Sequence, residues 1–527
     1  MADETEEQKN SQIVSFFRDR SVFITGGSGF MGKVLVEKLL RTCSGVRNIY
    51  VLLRNKKGLN ARQRLEELLD IKIFDRLKIE NPRVLNKVIA VSGDITEDGL
   101  GLSETDVKTL VREVSVVFHC AATVKFDEPL RASVEFNLLG TRRVIHLCRK
   151  MGNLKALIHV STAYANCNRY EVDEVLYDCP IKPQQIVDAM EWMDDDIINE
   201  MTPKLIGDRP NTYTYTKALA ENLLSEECGS LPVAIVRPSI VTAAWKEPCR
   251  GWIDNLNGPT GLILASSKGF LRTMLFNPNA TADLIPVDTV INLMITVAWY
   301  TATRQQGRQN DILIYNCTSG LLNPITWGEI ERVAFPILLK YPSVEGYRYP
   351  GGAFKTSKLA NDICLFFEHH LLAHVLDTVS ALFSRKSRSI VKIYAKLHKA
   401  IKALDFFTMY QWRFKVNNVL MLCDQLEGPD KHLFNFDIRD LDWPTYWEDY
   451  VVGARRYVLK EEDNTLPQAH KSLRRLYYYE RLKDIFLILS FWYLFLRRNQ
   501  TAHLMWQSFI HLSRSLLSNV FRITGPN

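Results

Sequence analysis

A tyrosine and a lysine four residues apart, Tyr213 and Lys217, are the side chains in this sequence best suited to chemistry. Residues 211–221 have the pattern of a helix start, where residues four apart share a face while Tyr215 points elsewhere. A phenol can donate a proton, although its ordinary pKa is about 10. A nearby ammonium favours the phenolate, so we expect Lys217 to lower the pKa of Tyr213. Such pairs also occur by chance on surface helices, so other segments must support this interpretation.

Two hydroxyl side chains, Ser161 and Thr162, directly follow a predicted strand at residues 156–160. Negative charge grows on a carbonyl oxygen that is being reduced, and a hydroxyl can orient the carbonyl and hydrogen-bond to that oxygen. Either residue could serve, since the sequence alone does not show which side chain faces inward.

A glycine-rich turn at residues 25–32 predicts a dinucleotide site, because an apolar run precedes it and a helical pattern follows. Gly26 suits a tight turn, Gly29 lets a pyrophosphate approach the backbone, and Gly32 permits close packing of helix on strand. The helix N-terminus adds unpaired N–H groups and the positive end of its dipole. The residues expected to contact the cofactor in this turn are Thr25, Gly26, Gly29, Phe30, Met31 and Gly32.

The second predicted strand, residues 49–53, ends at Arg54, with Lys56 and Lys57 close behind. A pocket for NAD usually carries an acid at this point, which binds the ribose 2′-hydroxyl. An acid would repel a 2′-phosphate, whereas a guanidinium matches it with two hydrogen bonds. We therefore predict NADPH, with a solvated basic loop as the alternative.

Two further predicted strands, residues 88–91 and 116–120, end where a parallel sheet binds its ligand. Asp94 could accept a hydrogen bond from adenine, and the small Ala121 and Ala122 would let the backbone lie against the cofactor. The predicted cofactor contacts in these segments are Asp94, Ile95, Ala121 and Ala122.

Composition narrows the class of protein only a little. The net charge of +7 suits anionic ligands, a membrane surface or nucleic acid without choosing among them. Ten scattered cysteines without a Cys-x-x-Cys pair predict neither zinc nor disulfides. Cys120 and Cys167 have no evident base beside them, so we interpret both as buried structural thiols. The acidic, polar residues 1–10 predict no signal peptide, so the catalytic part is expected to face the cytosol.

Three C-terminal segments are suited to a membrane. Residues 384–402 hold seven Lys or Arg, no acid, and apolar residues at helical spacing, which suits anionic lipid headgroups or CoA phosphates. A helix that packs its apolar stripe on the core is an equal alternative. Residues 485–496 form the most apolar run, but twelve residues are fewer than the roughly twenty of a membrane span, so an interfacial or re-entrant segment rivals a transmembrane helix. Residues 503–522 could form a second membrane-bound helix.

The turn at 25–32, the Ser161–Thr162 pair and the spacing of Tyr213 and Lys217 resemble the extended short-chain dehydrogenase/reductase superfamily over about residues 20–330. Residues 119–126, 159–164, 236–241 and 441–447 are similar to the fatty acyl-CoA reductases of animals. The resemblance implies an α/β fold: a Rossmann-like doubly wound parallel sheet, a C-terminal helical domain and a hydrophobic membrane-associated tail. It also implies that Lys217 binds the ribose and that Pro238 lies near the nicotinamide, and it favours Thr162 over Ser161.

The same resemblance implies reduction of long- or very-long-chain acyl-CoA to a primary fatty alcohol and CoA, with two NADPH and an aldehyde intermediate. The alternatives are a reductase of the same superfamily that acts on a sterol or nucleotide-sugar, and a non-catalytic scaffold on a lipid surface. The expected partners are acyl-CoA and membrane lipid, with no nucleic acid and no metal, and a homo-oligomer is compatible with the sequence. The surface of the endoplasmic reticulum, a lipid droplet or a peroxisome would each suit a membrane-associated enzyme.

We divide the chain into four predicted segments. They are a polar N-terminal segment (1–17), an NADPH-binding reductase domain with substrate-pocket insertions (18–350), a C-terminal helical domain (355–460) and a hydrophobic membrane-associated segment (475–522).

Overall fold

The computed structural model of the protein describes residues 5–56, 58–304, 312–383, 389–498 and 506–508. Its strands are β1 (Ser21–Thr25), β2 (Ile49–Leu53), β3 (Val88–Ser92), β4 (Val114–His119), β5 (Ala156–Val160), β6 (Glu171–Val172), β7 (Val233–Pro238), β8 (Ile240–Thr242), β9 (Leu284–Pro286), β10 (Leu313–Cys317) and β11 (Arg413–Phe414). Its helices are α1 (Glu6–Asn10), α2 (Gln12–Phe17), α3 (Phe30–Thr42), α4 (Ala61–Asp70), α5 (Asp75–Glu80), α6 (Glu104–Glu113), α7 (Leu130–Ser133), α8 (Gly140–Cys148), α9 (Pro183–Trp192), α10 (Asp195–Ile206), α11 (Thr212–Glu227), α12 (Pro259–Ser267), α13 (Val287–Thr303), α14 (Trp327–Lys340), α15 (Lys358–Leu365), α16 (Leu372–Phe383), α17 (Ile390–Met409), α18 (Asn417–Gln425), α19 (Gly428–Leu433), α20 (Trp443–Gly453) and α21 (Leu466–Arg498). The π-helical turns Val134–Leu139 and Phe366–Leu371 join α7 to α8 and α15 to α16.

A seven-stranded parallel sheet in the order β10-β7-β5-β4-β1-β2-β3 forms the centre of the molecule. Strands β1, β2, β4 and β5 are buried along their whole length, as their apolar runs require when helices cover both faces. The strand order reverses between β1 and β4, and doubly wound sheets bind ligands in the crevice at that point. The predicted doubly wound α/β sheet is confirmed.

Residues 59–80 carry apolar side chains at helical spacing, which predicts one helix. Residues 59–80 form α4 and α5 instead of a single helix, because Ile71 adopts an extended backbone with φ −69° and ψ 154°. This break lets Ile73 and Phe74 bury their side chains almost completely in the core. Tertiary packing therefore decides the helix boundary, which the apolar spacing alone does not reveal.

The C-terminal helices pack into the same hydrophobic core as the sheet. Tyr446 of α20 donates a hydrogen bond of 2.7 Å to the carbonyl of Ala243 and also hydrogen-bonds to Thr242 at 2.7 Å. The hydroxyls of Thr260 and Tyr450 lie 2.7 Å apart, and β11 pairs in parallel with β6. The chain segments on the two sides of the boundary predicted near residue 350 therefore share one continuous core.

The predicted polar N-terminal segment contains a buried helix. In α2, Ile13, Val14 and Phe17 are at most 1% exposed. The carboxylate of Asp430 in α19 accepts a hydrogen bond from Ser11 and further bonds from the next main-chain N–H groups, so α2 is fixed against the C-terminal helices.

The basic helix predicted at 384–402 is described from Ser389 onward, and its first three basic residues, Arg385, Lys386 and Arg388, lie outside the described residues. In α17, Tyr394 and Ile401 are buried against the rest of the protein while several lysines are exposed. The predicted apolar stripe is thus buried at Ile401 but 36% exposed at Ile393, so it packs on the core only in part.

Helix α21 carries the most apolar run at its C-terminal end. Large apolar side chains at residues 485–495 are exposed, from 41% at Trp492 to 72% at Phe491. Among the described residues, none of the helices combines the length and apolar character that a membrane crossing requires. The second segment predicted at 503–522 lies outside the described residues except for 506–508.

Candidate active site

The glycine turn has the backbone conformation that its sequence predicts. Gly26 has a φ of +73°, and a Cβ at this position would lie 2.7 Å from the main-chain nitrogen of Ala121. A Cβ at Gly32 would lie 2.3 Å from the carbonyl oxygen of Gly26. Gly32 therefore lets α3 pack closely against the turn, whereas we predicted close packing against the strand. Gly27 makes the close contact with a strand, because a Cβ there would lie 2.5 Å from Val51 of β2.

The same turn fits a pyrophosphate. Helix α3 begins after Gly29, which is exposed, and no side chain caps its first N–H groups. The first turn of a helix leaves N–H groups unpaired at the positive end of the helix dipole. The chain thus presents hydrogen-bond donors and open space where a phosphate would bind.

Three residues that we predicted as cofactor contacts have side chains that pack within the protein. The Phe30 ring stacks on Trp252 with centroids 5.4 Å apart, and Met31 packs partly buried against the core. Ile95 lies beneath α8, where a Cβ on Gly140 would be 2.5 Å from it. The Ile95 side chain is thus buried, whereas those of Phe30 and Met31 stay partly exposed.

Arg54 and Asp94 meet at the ends of β2 and β3, with Nη1 and Oδ2 3.7 Å apart. The main chain and hydroxyl of Thr96 each donate a 3.0 Å hydrogen bond to Oδ1 of Asp94, which fixes the carboxylate. Arg64 of α4 donates a 2.5 Å hydrogen bond to the Arg54 carbonyl, so a second guanidinium, which the sequence pattern did not indicate, lies beside the first. Lys57 lies outside the described residues.

Thr25 joins the ends of β1 and β4. Its hydroxyl accepts a 3.3 Å hydrogen bond from the main chain of Ala121 and hydrogen-bonds to Nδ1 of His119 at 2.7 Å. Ala121 and Ala122 are half-buried at this strand end, as expected where the backbone lies against a cofactor. The buried His119 has its pKa lowered to about 3 by burial, with a smaller effect of the Lys217 charge, so it is neutral.

The structure brings Thr162 and Tyr213 together. The Thr162 side chain interacts with the Tyr213 phenol, and its hydroxyl lies 3.4 Å from the carbonyl of Pro238. Burial raises the pKa of Tyr213 to about 12, and the interaction with Thr162 opposes this shift only in part. The phenol is therefore protonated at neutral pH, which is the form that can donate a proton to a carbonyl oxygen.

Lys217 is buried one helical turn after Tyr213. Its ammonium donates a 2.7 Å hydrogen bond to the carbonyl of Val160 at the end of β5. Burial lowers the pKa of Lys217 to about 8, while Cys120 and Glu221 act in the opposite direction. The predicted lowering of the Tyr213 pKa by Lys217 is wrong for this state of the protein, because burial dominates at the phenol and the ammonium faces the β5 main chain.

Ser161 occupies a different environment from Thr162. Its buried hydroxyl has no hydrogen-bond partner among the described residues, so Thr162 is the member of the pair that meets Tyr213. Burial raises the pKa of Cys120 and that of Cys167 to about 12, so both thiols are protonated and unsuited to attack a thioester. Within the described parts of the chain, no group of three or more His, Cys, Asp or Glu is arranged to hold a metal ion.

Asn137 is a site residue that the sequence did not reveal. Its side chain accepts a 3.0 Å hydrogen bond from the main chain of Thr123 and donates one of 3.0 Å to the hydroxyl of Thr216. It therefore links the loop after β4 to the helix that carries Tyr213. A single amide within an apolar run has no spacing signal, so only the three-dimensional contact identifies it.

A buried ion pair fixes the same helix to the sheet. Arg237 of β7 donates hydrogen bonds of 2.8 and 2.6 Å to the two carboxylate oxygens of Glu221 in α11, and both side chains are at most 1% exposed. Arg237 also donates to the carbonyls of Asp173 and Val175. This bidentate ion pair fixes the position of α11 on the sheet and so constrains the positions of Tyr213 and Lys217.

Aromatic side chains lead from Tyr213 toward an apolar cavity. Phe126 has its ring centroid 5.9 Å from that of Tyr213 and 5.4 Å from that of Phe407 in α17. The next residue of α17, Thr408, lines a cavity of about 110 Å³ between α12, α14 and residues 350–354. Its other lining residues include Ile263, Met274, Ile330, Ala334, Leu338 and Phe354. The contacts of Phe126 and Phe407, with the neighbouring Thr408, thus connect the proton donor to an apolar cavity.

Two family models match the chain. Residues 24–294 match an NAD-binding model described as male sterility protein, and residues 368–461 match a second model with the same description. The reductase domain of a nonribosomal peptide synthetase from Mycobacterium tuberculosis superposes with a TM-score of 0.54 at 17% identity, covering 85% of this chain and 96% of that domain. The terminal reductase domain of the myxalamid pathway has a TM-score of 0.53 at 18% identity, covering 83% and 91%. These structures show the shared fold.

Curated relatives are similar over nearly the full length. Fatty acyl-CoA reductase 1 of Xenopus laevis and that of Homo sapiens are each 44% identical to this chain, covering 96% of it and 98% of the relative. Fatty acyl-CoA reductase 2 of Mus musculus is also 44% identical, covering 94% and 96%. With a glycine turn for a nicotinamide dinucleotide and a Thr162–Tyr213 pair at the same sheet edge, the chain belongs to the fatty acyl-CoA reductase family of oxidoreductases.

Proposed function

We propose that the protein reduces long- or very-long-chain fatty acyl-CoA to the primary alcohol and CoA, with NADPH as the reductant. The observation that carries this proposal is the pairing of Thr162 with the protonated phenol of Tyr213 at the sheet edge that also holds the glycine turn. Membership of the family supplies the thioester class of substrate, and the geometry supplies the proton donor.

The reaction takes place in two reductions. Bound NADPH supplies the hydride for each of them. Thr162 orients the thioester carbonyl and Tyr213 donates its proton to the carbonyl oxygen, which gives a hemithioacetal. The hemithioacetal expels CoA as its thiol and leaves an aldehyde, which takes up a second hydride and a second proton to become the alcohol. Two NADPH are therefore consumed for each alcohol, and Tyr213 regains a proton between the two steps.

We infer NADPH rather than NADH from the charges at the end of β2. The Arg54 guanidinium is 44% exposed and free to reach a ligand, and Arg64 lies beside its main chain. Asp94 is the nearby acid, and its carboxylate is already held by Thr96 and faces Arg54. A 2′-phosphate would meet a guanidinium that can bind it with two hydrogen bonds.

We assign a segment of the acyl chain, the few methylene groups that about 110 Å³ can hold, to the apolar cavity beside α14. Burial of methylene groups against side chains such as Ile330 and Leu338 stabilises the bound chain by about 0.8 kcal/mol for each CH₂. Phe126 and Phe407 would cover the path between this cavity and Tyr213. A short acyl chain would fill less of the cavity, so we expect a preference for long chains.

Membrane association through α21 is a further part of the proposal. The exposed apolar side chains at residues 485–495 form a surface larger than scattered exposed residues usually give, which supports interfacial binding to lipid. We also propose that the catalytic part faces the cytosol.

The test combines purified protein, NADPH and acyl-CoAs of graded chain length, with products identified by mass spectrometry. We expect fatty alcohol with two NADPH oxidised for each alcohol formed. Aldehyde as the final product would contradict the second reduction. Binding of NADPH without turnover of any acyl-CoA would overturn the proposed activity and favour a scaffold, and turnover of only a sterol or nucleotide-sugar would indicate the other alternative.

A further inference from the structure

We propose that the exposed face of the helix formed by α15, the π-helical turn Phe366–Leu371 and α16 docks on a lipid bilayer that contains anionic headgroups. We call this surface the apolar face. It consists of Leu359, Ile363, Phe366, Phe367, Leu371 and Val375, which are between 44% and 72% exposed. It is separate from the exposed residues of α21.

The six residues lie along one side of the helix. Successive members are four, three, one, four and four residues apart, which is the spacing of a single stripe. The π-helical turn includes three of these residues. Each residue of a π-helix rotates less about the helix axis than a residue of an α-helix, so residues four apart stay on the same side. A contiguous stripe of large exposed apolar side chains marks an interaction surface.

The opposite side of this helix is fixed to the wall of the acyl cavity. Asn361 accepts a 2.8 Å hydrogen bond from the hydroxyl of Thr273, and Nε2 of His369 accepts one of 3.1 Å from the main chain of Arg272. Both side chains are buried, whereas Leu271 and Met274 of the same segment line the cavity. The apolar face therefore points away from the protein while the cavity lies directly behind it.

The surrounding charges favour a bilayer over a second apolar protein surface. Helix α17 packs beside α16 and carries the exposed Lys392, Lys396 and Lys402. The helix formed by α15, the π-helical turn and α16, here called the docking helix, contains three acids, and two of them are held by the protein. Asp377 accepts hydrogen bonds from Ser389 and the first main-chain N–H groups of α17. Glu368 pairs with Arg348. Exposed lysines beside an apolar stripe match the anionic headgroups and acyl chains of a membrane.

An ion-pair network links the docking helix to α21. Glu480 of α21 accepts hydrogen bonds of 3.0 Å from Arg272 and 3.2 Å from Arg348, and both arginines also pair with Glu368. Arg272 donates a 2.8 Å hydrogen bond to the carbonyl of Tyr349, next to the cavity residues at 350–352. The two exposed apolar surfaces and one wall of the cavity are thus tied together by one set of contacts.

This arrangement gives the docked protein a route for its substrate. With the apolar face in the bilayer, the cavity would lie near the membrane, which we propose as the source of the acyl chain. This consequence rests on the proposed function, whereas the docking itself does not.

Site-specific photocrosslinking tests the docking directly. We would place p-benzoylphenylalanine in the full chain at Phe367, at Phe491 of α21, or at Trp192, a 71% exposed side chain on α9 that serves as the matched control. After irradiation with vesicles of phosphatidylcholine and phosphatidylserine, we expect a lipid adduct at position 367 and none at 192. Absence of an adduct at 367 would overturn the proposal, whether or not position 491 reacts.

Kinetics separate docking from catalysis. In Phe366→Glu/Phe367→Glu we expect kcat/KM for long-chain acyl-CoA presented in these vesicles to fall about tenfold or more, since two apolar side chains leave the bilayer. The value for a short-chain, water-soluble acyl-CoA should stay unchanged, as should both values in Trp192→Glu. An equal loss with both substrates would contradict the role in delivery. If the unaltered protein reduces no acyl-CoA, the proposed function fails, and the crosslinking result still decides the docking.

Discussion

Lys217 donates a 2.7 Å hydrogen bond to the carbonyl of Val160, which holds its ammonium within the protein at the end of β5. Because burial lowers the pKa of Lys217 to about 8, the charge is lost as the pH rises through that value. Since the family resemblance implies that this ammonium binds the cofactor ribose, we expect kcat/KM for acyl-CoA to decline above a pH of about 8 in a pH profile. Tyr213 cannot produce this decline, since its pKa is about 12. A profile that stays level to a pH of about 10 would contradict the role of the ammonium.

The same shift affects stability with a defined sign. The pKa of Lys217 is lower in the folded protein than its ordinary value of 10.5, so the unfolded chain binds more protons between a pH of about 8 and 10.5. The contribution of Lys217 to the free energy of unfolding therefore rises with pH across that window and is constant below it. Urea titrations of the protein and of Lys217→Met should differ in their slope against pH in this window, and parallel curves would contradict the shift.

Tyr213→Phe removes the proposed proton donor and leaves the ring against Phe126. We expect kcat to fall by about 10²- to 10⁴-fold, the usual contribution of general acid catalysis, while NADPH binding stays unchanged. Single-turnover reduction and fluorescence titration measure the two quantities. Tyr215→Phe is the matched control, because the Tyr215 hydroxyl is buried without a hydrogen-bond partner among the described residues. Equal activity of both variants would remove Tyr213 from the mechanism.

Local sequence patterns predict much of this site, because strand ends and glycine turns depend on nearby residues. Five strands of the central sheet, the turn at 25–32 and the helix beginning near Tyr213 follow from such patterns. Asn137 and the ion pair of Arg237 with Glu221 could not be predicted, since their partners are distant in the chain. The spacing of Tyr213 and Lys217 shows a neighbouring lysine and therefore predicts a lowered pKa for Tyr213. Spacing does not show burial, and burial raises this pKa.

Arg54→Asp places an acid where we expect the 2′-phosphate. Charge-assisted hydrogen bonds contribute about 1.5–3 kcal/mol, so the loss should weaken NADPH by at least about tenfold and shift the preference toward NADH. The ratio of kcat/KM for the two cofactors measures this preference. Arg62→Asp is the control, because Arg62 lies on the same part of the fold, is 88% exposed and pairs only with Glu66 among the described residues. An unaltered ratio in Arg54→Asp would refute the assignment.

Ala334→Phe fills part of the apolar cavity from α14. We expect the variant to prefer shorter acyl-CoAs, since each excluded methylene alters discrimination by about 1–3 kcal/mol. Competition between acyl-CoAs of different length, read by mass spectrometry of the alcohols, gives the ratio. Arg332→Phe adds a ring to an exposed position of the same helix outside the cavity and should keep the original preference. The same preference in both variants would place the acyl chain elsewhere.

Arg237→Leu leaves the buried carboxylate of Glu221 without its partner. Breaking a buried ion pair in this way costs about 3–5 kcal/mol of unfolding free energy, measurable by urea denaturation. The double variant Arg237→Leu/Glu221→Leu should recover part of the loss, because no buried charge then remains unpaired. A single variant as stable as the original protein would contradict the structural role of the pair.

The contacts between α20 and the sheet limit how the two halves of this chain can vary. Tyr446 satisfies the carbonyl of Ala243, and the side chain of Asn292 donates a 2.8 Å hydrogen bond to the carbonyl of Asn435. A chain cut near residue 350 would leave these polar groups unmatched and a large apolar surface open to water. The two halves therefore depend on each other for stability, and we expect neither to fold when it is expressed alone.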